Sequence, residues 1–472
     1  MSWRQALFAT VVLFAPAAQA QGTVLAQNTD EPGQAERRTV RTIERGSEAA
    51  QDERLPAGQR VTLEQVLSDP DNLELNHRFA QTQIADGDLR GAMSTLERIL
   101  LTRPELARVR LLYAIVLFRL DNTDEAEREL KTLQSLEMTP GLRAEIDQAL
   151  RDIERRRKTT RYAANLTFGV QGNTNRDAAP DSGKRVAQGF TFASKDGRAD
   201  IAGLAIGSFE LHHDLGTQAG DEVFLRASGF LSEEAKVDAQ DLQAAFLEGG
   251  FLLRTDWAEI TPSFSFGHFI LAGERFLNTY SFKLDGRRRL NDRWTAFASN
   301  ELQYQDYDAV RKIVDGASVA ALAPERSGMR NEALAGAIYT VTPQHQLQGT
   351  LAFALKDAVE SFNSYASLRA ELSHTWLLGR GMFLISTGSA IWQPYNEPDT
   401  RISAKSREDT ILLGRVAFGV PFATLWPEST NYGIGDFVLA LAAQLTHQHS
   451  NITNYTYTDL SGQALITRRW EF

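Results

Sequence analysis

Residues 345–357 and 362–376 alternate apolar and polar side chains almost without interruption. Leu347, Gly349, Leu351, Phe353 and Leu355 share one parity, with Gln346, Gln348, Thr350 and Lys356 on the other. The second stretch sets Phe362, Ala366, Leu368, Ala370, Leu372 and Trp376 against Asn363, Arg369, Glu371 and Thr375. Side chains of a strand point to opposite faces in turn, so each segment has one face suited to lipid and one suited to water. The pattern recurs along the last two-thirds of the chain, which closes on Arg468-Arg469-Trp470-Glu471-Phe472. Together these features predict a β-barrel of the outer-membrane type.

From about Arg161 onward fourteen strands can be drawn, and their connections test the reading independently. Odd-numbered gaps are long or polar at 173–199, 232–240, 308–328, 396–405 and 449–459, and shorter near 272–275 and 358–361. Even-numbered gaps are tight near 216–220, 254–256, 291–292, 343–344 and 379–381, with 422–430 as the exception. Alternating short and long connections and an even strand count are expected of such barrels. Val186 to Ser194 is the ambiguous stretch, either part of the first loop or an additional strand segment. Trp294 and Tyr304 share a parity ten residues apart, a rise of roughly 25 Å along a tilted strand, which suits two aromatic girdles. The opposite faces carry Glu222, Arg226, Glu301, Gln303, Arg369 and Glu371. A soluble sandwich also alternates, so the terminal Phe472, the loop pattern and the export signal decide between the two.

That signal occupies residues 1–20. Arg4 supplies the positive region, Ala6 to Phe14 the apolar run, and Ala18-Gln19-Ala20 the small-residue cleavage pattern. The run is about half the ~20 residues a helical span needs. Residues 21–60 are rich in Gln, Glu, Arg, Gly and Pro, a composition that predicts a disordered lead-in. The chain has no cysteine, which excludes disulfides, thiolate metal sites, cysteine nucleophiles and lipidation of its own N-terminal cysteine. Its net charge of −10 leaves no electrostatic footprint for nucleic acid.

Between residues 61 and 158 the periodicity becomes helical. Ala80, Ala92 and Leu96 recur as Ala114, Ala126 and Leu130, each 34 residues on. Asp86-Gly87-Asp88 and Asp121-Asn122-Thr123 mark turns inside two helix pairs, and Pro104 and Pro140 mark the exits. A helix–turn–helix unit of that period, with alanines where helices approach closely, is the tetratricopeptide pattern. The segment Leu142 to Ile153, with Ile146 and Leu150, is expected to cap the stack before Arg155-Arg156-Arg157-Lys158 leads into the first strand. The expected architecture is therefore multi-domain: a small all-α tetratricopeptide domain (61–158), then a 14-stranded antiparallel transmembrane β-barrel (159–472).

No catalytic constellation stands out, and enzyme activity, a cofactor and a resident metal are not expected. His447 and His449 share a strand face without a local third ligand, and the adjacent His212 and His213 point to opposite faces. There is no G-x-S-x-G, H-E-x-x-H or phosphate-cradling glycine loop.

Three stretches resemble the surface lipoprotein assembly modifier (Slam) family, over roughly residues 61–472. The first is the repeat region, Asp86-Gly87-Asp88 through Arg103-Pro104-Glu105, then Val109-Arg110-Leu111 and Leu117-Phe118. The second is Gly172-Asn173-Thr174-Asn175 at the barrel start. The third is the tail: Ser450-Asn451-Ile452, Tyr455-Thr456-Tyr457 and Thr467-Arg468-Arg469. The chain departs from the family in having few clear repeats and in closing on Arg469-Trp470-Glu471-Phe472 rather than Arg-Phe.

The resemblance implies a Gram-negative outer-membrane translocator. Its periplasmic repeats would receive a surface lipoprotein or secreted protein client, and its barrel would assist passage. Stacked helix pairs make a concave surface for an extended partner. Repeat register places Glu74, His77, Gln81 and Ile84 of the first repeat and Leu111, Ile115 and Arg119 of the second on that surface. Ordinary helix packing is the alternative for Leu111 and Ile115. Trp470 and Phe472 are the expected assembly signal for the barrel assembly machinery, with outer-membrane lipid as the surrounding partner. Two other functions fit a repeat–barrel fusion: a polysaccharide export porin, which needs a basic lumen, and a passive solute porin.

Overall fold

The computed structural model describes residues 61–472, apart from 71, 121, 135–142, 144–145, 148, 151–152, 154–157, 195–196, 218, 309–310, 315–316 and 321–323. The expected signal peptide, lead-in, Pro140, Leu142 and Arg155 to Arg157 lie outside the described residues. The chain divides after Thr159 into two compact units.

The helical unit begins with α1 (Leu63–Ser68), started by a capping box in which the Thr62 side chain and Gln65 satisfy each other's backbone N–H groups. Two helix pairs follow: α2 (Leu73–Ala85) with α3 (Leu89–Thr102), and α4 (Ala107–Arg119) with α5 (Thr123–Gln134). The α2–α3 turn needs Gly87, whose φ is +84°. Asp88 then starts α3 by accepting the Gly91 N–H at 3.0 Å. The 34-residue register is a packing register: Ala80, Ala92, Leu96, Ala114, Ala126 and Leu130 are all fully buried in one core. Alanine is required where two helix axes come close, and leucine fills the space between them. Ile146, Ala149 and Ile153 close the same core, with Leu150 packed against it.

From Thr160 the chain forms fourteen antiparallel strands in one closed barrel. They are β1 (Thr160–Asn173), β2 (Asp200–Asp214), β3 (Glu222–Glu234), β4 (Leu242–Arg254), β5 (Glu259–Leu271), β6 (Glu274–Arg289) and β7 (Trp294–Tyr307), followed by β8 (Gly328–Thr342), β9 (His345–Ala358), β10 (Tyr365–Gly379), β11 (Met382–Pro394), β12 (Glu408–Pro421), β13 (Val438–Ser450) and β14 (Tyr457–Glu471). Each strand pairs with its sequence neighbour, and β1 pairs with β14. Closure leaves no strand edge, so the ladder N–H and C=O groups pair within the sheet apart from local bulges, and it can sit in hydrocarbon.

The exterior is apolar on the expected parity: Leu351, Phe353 and Leu355 on β9, Leu368, Leu372 and Trp376 on β10, and Tyr280, Phe282 and Leu284 on β6 are exposed. Trp294 and Tyr304 lie on this face too. Among the described residues no helix is long and apolar enough to cross a membrane.

Three details differ from the sequence reading. The apolar alternation extends back to Phe362, but Ser361–Asn363 form a 3-10 turn and β10 begins only at Tyr365. Apolar parity cannot distinguish a strand residue from a loop residue that turns inward, and Phe362 does the latter. Second, the ambiguous stretch is a separate two-stranded hairpin, Lys184–Ala187 with Phe190–Ala193, inside the first loop and not part of the barrel. Third, the loop between β7 and β8 contains another hairpin, Arg311–Val314 with Ala317–Ala320, where the sequence reads as loop.

Candidate functional site in the repeats, the seam and an inner chamber

On the helical unit, Glu74 is exposed, and His77, Gln81 and Ile84 are half-buried along α2. Leu111 is only 7% exposed and belongs to the helical core. Ile115 and Ile84 pack against that core, and Arg119 is half-buried at the end of α4. Burial lowers the pKa of His77 from the usual histidine value; Glu74 opposes the shift and Arg108, on α4, adds to it. His77 is therefore set between charges from both helix pairs. The pairs themselves are tied internally, by Thr95 Oγ1 donating to Gln83 Oε1 at 2.9 Å in the first and by the Arg110–Glu129 ion pair at 2.5 Å in the second.

The closing seam between β1 and β14 runs continuously from Ala163 opposite Glu471 to Asn173 opposite Ser461. A row of side chains supplements its backbone ladder. Thr167 Oγ1 lies 2.8 Å from Thr467 Oγ1, Gln463 Nε2 donates to Gln171 Oε1 at 2.8 Å, and Gln171 Nε2 donates to Asn173 Oδ1 at 2.8 Å. At the loop end Asp459 collects three donors: Asn173 Nδ2 and the Asn175 N–H, both at 2.8 Å, and Thr174 Oγ1 at 3.3 Å. Asp181 reaches back across to the Thr458 N–H at 2.9 Å and to its hydroxyl at 2.8 Å. The barrel-start motif thus bonds Asp459, 286 residues on from Asn173, which lies between the stretches of the tail motif. At the other end the Phe472 N–H donates to the Tyr162 carbonyl at 2.9 Å. Phe472 is 61% exposed, and Trp470, opposite Ala164, has the Arg468 guanidinium 5.1 Å from its ring.

The loops beyond the β1–β14 latch are bonded together. Arg401 makes a bidentate bridge to Glu325, both contacts at 3.0 Å, and also holds Asp399 at 2.8 Å, joining the β11–β12 and β7–β8 loops. These bonds, Asp399 first, raise the Arg401 pKa. Gln188 of the first-loop hairpin donates its N–H to the Arg401 carbonyl at 3.0 Å, and Asn454 bonds Val186. Tyr455, Ile402 and Ile452 form a small buried cluster where these loops converge.

Below this convergence the barrel encloses a cavity of about 120 Å³ with an unusual density of charge. Arg326, Arg330, Lys356, Arg369 and Arg407 line it, together with Glu332, Glu397, Asp399 and Asp409. Arg330 and Arg369 share the single carboxylate of Glu332, the latter at 3.0 Å. Arg407 bonds Asp409 at 2.5 Å and stacks 3.7 Å from the Tyr455 ring. The Lys356 ammonium donates to Gln305 Oε1 at 2.7 Å and lies 4.9 Å from the Tyr307 ring. Burial lowers the pKa of Arg326, which enters from the β7–β8 loop, and raises that of the neighbouring Tyr395.

Sequence reasoning named Lys356 and Arg369 as polar-face residues but did not assemble this chamber. Three adjacent strands with a cation on the inward parity, Arg330, Lys356 and Arg369, were the available signal. Of the other residues considered, His447 bonds Thr458 Oγ1 at 3.0 Å, and among the described residues no cluster of three metal-ligating side chains occurs. His212 turns inward, 3.1 Å from Glu222, a carboxylate also held by Arg161 at 2.7 Å and Arg254 at 2.9 Å; His213 points the other way to Thr160.

Residues 84–139 match the tetratricopeptide repeat model. No curated protein matches the chain in sequence. Among solved structures the barrel is similar to OmpT, an outer membrane protein of Vibrio cholerae, at 7% identity and a TM-score of 0.37, covering 66% of this chain and 98% of that one. It is similar to OccAB3 of Acinetobacter baumannii at 8% identity and a TM-score of 0.32, covering 66% and 99% of the two chains. A FadL homologue of Pseudomonas aeruginosa gives 9% identity and a TM-score of 0.33, covering 67% and 90%. The assignment as a transmembrane barrel rests on the closed strand order and apolar exterior described above.

Proposed function

We propose that this chain is an outer-membrane translocator that passes a surface lipoprotein or secreted protein client from periplasm to cell surface. In this reading the repeats lie in the periplasm and receive the client, while the barrel assists its passage. The observation that carries the proposal is the fusion of a tetratricopeptide unit to a closed 14-strand barrel. The barrel-start stretch that resembles the Slam family adds support, because it is bonded across the seam to Asp459 of the last strand.

Leu111 serves the helical core, which leaves Glu74, His77, Gln81, Ile84, Ile115 and Arg119 as the proposed client contacts. Trp470 and Phe472 are proposed to be read by the barrel assembly machinery during insertion into outer-membrane lipid. With no nucleotide site in the sequence, directionality is proposed to come from client folding or retention outside the cell.

The test is protease shaving of intact cells with the gene intact, with the gene removed, and with residues 61–158 deleted. Loss of one or two specific proteins from the surface, with accumulation in the periplasm, is expected in both altered strains. The truncated barrel should still insert. An unchanged surface proteome would overturn the translocator reading and favour polymer export or solute passage.

A further inference from the structure

At the barrel end where the turns are tight, the connection between β12 and β13 is the exception. Residues 422–437 fold into a helical turn, Phe422–Leu425, and a 3-10 turn, Pro427–Tyr432, which Gly433 ends at a φ of +70°. The piece is bonded across its own base and to its neighbour. The Phe422 N–H donates to the Phe437 carbonyl at 2.7 Å, and Thr424 Oγ1 donates to the Arg380 carbonyl of the β10–β11 turn at 2.7 Å.

Parity shows on which side of the wall it lies. On β14 Leu460 and Ile466 are exposed while Leu465, of the other parity, is buried, so Arg468 and Trp470 belong to the lipid-facing row. Arg468 reaches from that row to the connection. Its guanidinium donates to the Gly433 carbonyl at 3.0 Å and lies 5.2 Å from the Phe437 ring. Val420 ends the outward row of β12 and is 4% exposed, where Leu412 and Val416 of the same row are each 49% exposed. The connection therefore flanks the outer wall and does not fold into the lumen.

What it presents outward is apolar and aromatic. Leu425, Trp426 and Tyr432 are 56%, 46% and 68% exposed, and the two rings stack with centroids 5.5 Å apart. Three such side chains left in water forgo the gain that burial of apolar surface brings. Tryptophan and tyrosine join an apolar body to a polar tip, which suits the level of lipid headgroups. Trp470 stands on the row that Arg468 shares, so the patch continues the lipid-facing surface past the strand ends. The exposed acids of the connection, Glu428 and Asp436, need water and set its depth at the boundary rather than in hydrocarbon.

We propose that residues 422–437 are an interfacial anchor, with Leu425, Trp426 and Tyr432 set among the phospholipid headgroups and upper acyl chains of the leaflet beside the tight turns. In barrels of this type that leaflet faces the periplasm. The anchor holds the β12–β14 rim, next to the closing seam, at a fixed depth. The proposal rests on the barrel's place in the membrane and stands apart from the translocator reading.

The chain has no cysteine, so a single spin label can be placed at a chosen position. The test labels full-length Leu425→Cys, Tyr432→Cys and, in the β2–β3 turn, Ala219→Cys, each reconstituted in phosphatidylcholine vesicles. Collision with oxygen, which concentrates in lipid, is compared with collision with a water-soluble nickel chelate. The oxygen-to-nickel ratio at Leu425→Cys and Tyr432→Cys is expected to exceed that at Ala219→Cys by about threefold or more. Adding Trp426→Ser should bring the Leu425→Cys ratio most of the way down to the Ala219→Cys value. Heat-modifiable mobility on gels checks that each variant retains a folded barrel. Ratios equal to that of Ala219→Cys would place the connection in water and overturn the proposal. Labels immobilised and reached by neither probe would mean that protein covers this face, the helical unit or a second copy, and would overturn it as well. An unchanged ratio after Trp426→Ser in a folded barrel would refute the anchoring role of the aromatic pair.

Discussion

Replacing Asp459 by alanine removes the acceptor that holds the loop end of the barrel seam. Three donors lose their partner: Asn173 Nδ2 at 2.8 Å, the Asn175 N–H at 2.8 Å and Thr174 Oγ1 at 3.3 Å. The Thr174 contact is long and exposed, so water replaces it at little cost. The other two are shorter and partly buried, and a hydrogen bond to a charged acceptor contributes about 1.5–3 kcal/mol. Their sum, about 3–6 kcal/mol, is an upper range because water can enter from the loop side. We expect Asp459→Ala to cost about 3 kcal/mol, roughly a hundredfold in the folding equilibrium. Asp459→Asn keeps one acceptor oxygen without charge and should cost about half as much. The measurement is urea-induced unfolding in micelles, followed by tryptophan fluorescence and by the heat-modifiable band. Thr174→Ser, which keeps both Oγ hydrogen bonds, including the one accepted from the Leu460 N–H at 2.9 Å, serves as a control, within about 0.5 kcal/mol of the parent. A double variant with Asn173→Ala should be less destabilised than the sum of its parts. If Asp459→Ala unfolds within about 0.5 kcal/mol of the parent, Asp459 is not the seam latch and the reasoning fails.

Three further outcomes are expected. Deleting Phe472, or changing it to Asp, should hinder insertion, because the Phe472–Tyr162 pairing ends the seam and the ring lies exposed beside it; an unchanged heat-modifiable band in membranes would contradict this. Leu96→Ala, at a fully buried site in the repeat core, should destabilise the helical unit by about 2–5 kcal/mol, read as a lower melting temperature of the helical circular dichroism signal. Burial lowers the His77 pKa, so below the unfolded value of 6.5 the unfolded chain binds more protons than the folded one. Stability of the repeats should therefore fall as pH drops through about 6.5 and level off below the folded pKa, and His77→Gln should remove that slope.

Much of the fold was legible because membrane strands are constrained residue by residue. Leu351, Phe353 and Leu355 must face lipid, so the period of two shows in the sequence without any knowledge of neighbours. The repeat register was legible for a similar reason: Ala80 and Ala114, 34 residues apart, are both buried in the one helical core. Phe362 shows the limit, since an apolar residue that turns into a lumen looks the same as one that faces lipid. The first-loop hairpin shows in the sequence only as an ambiguous stretch and the β7–β8 loop hairpin not at all, because strands of four residues leave little periodic trace.

The sequence by itself determined the order of the units, the number of barrel strands and the parity of their faces. Those depend on local pattern and on the solvent each face meets. Only the tertiary structure decided which distant residues share a site. Asn173 and Asp459 are joined by barrel closure, and Arg326, Lys356, Arg407 and Asp409 meet because loops and inward faces from several strands converge on one volume. Contacts of that kind leave no periodic signal along the chain, because their spacing is set by the circumference of a closed sheet.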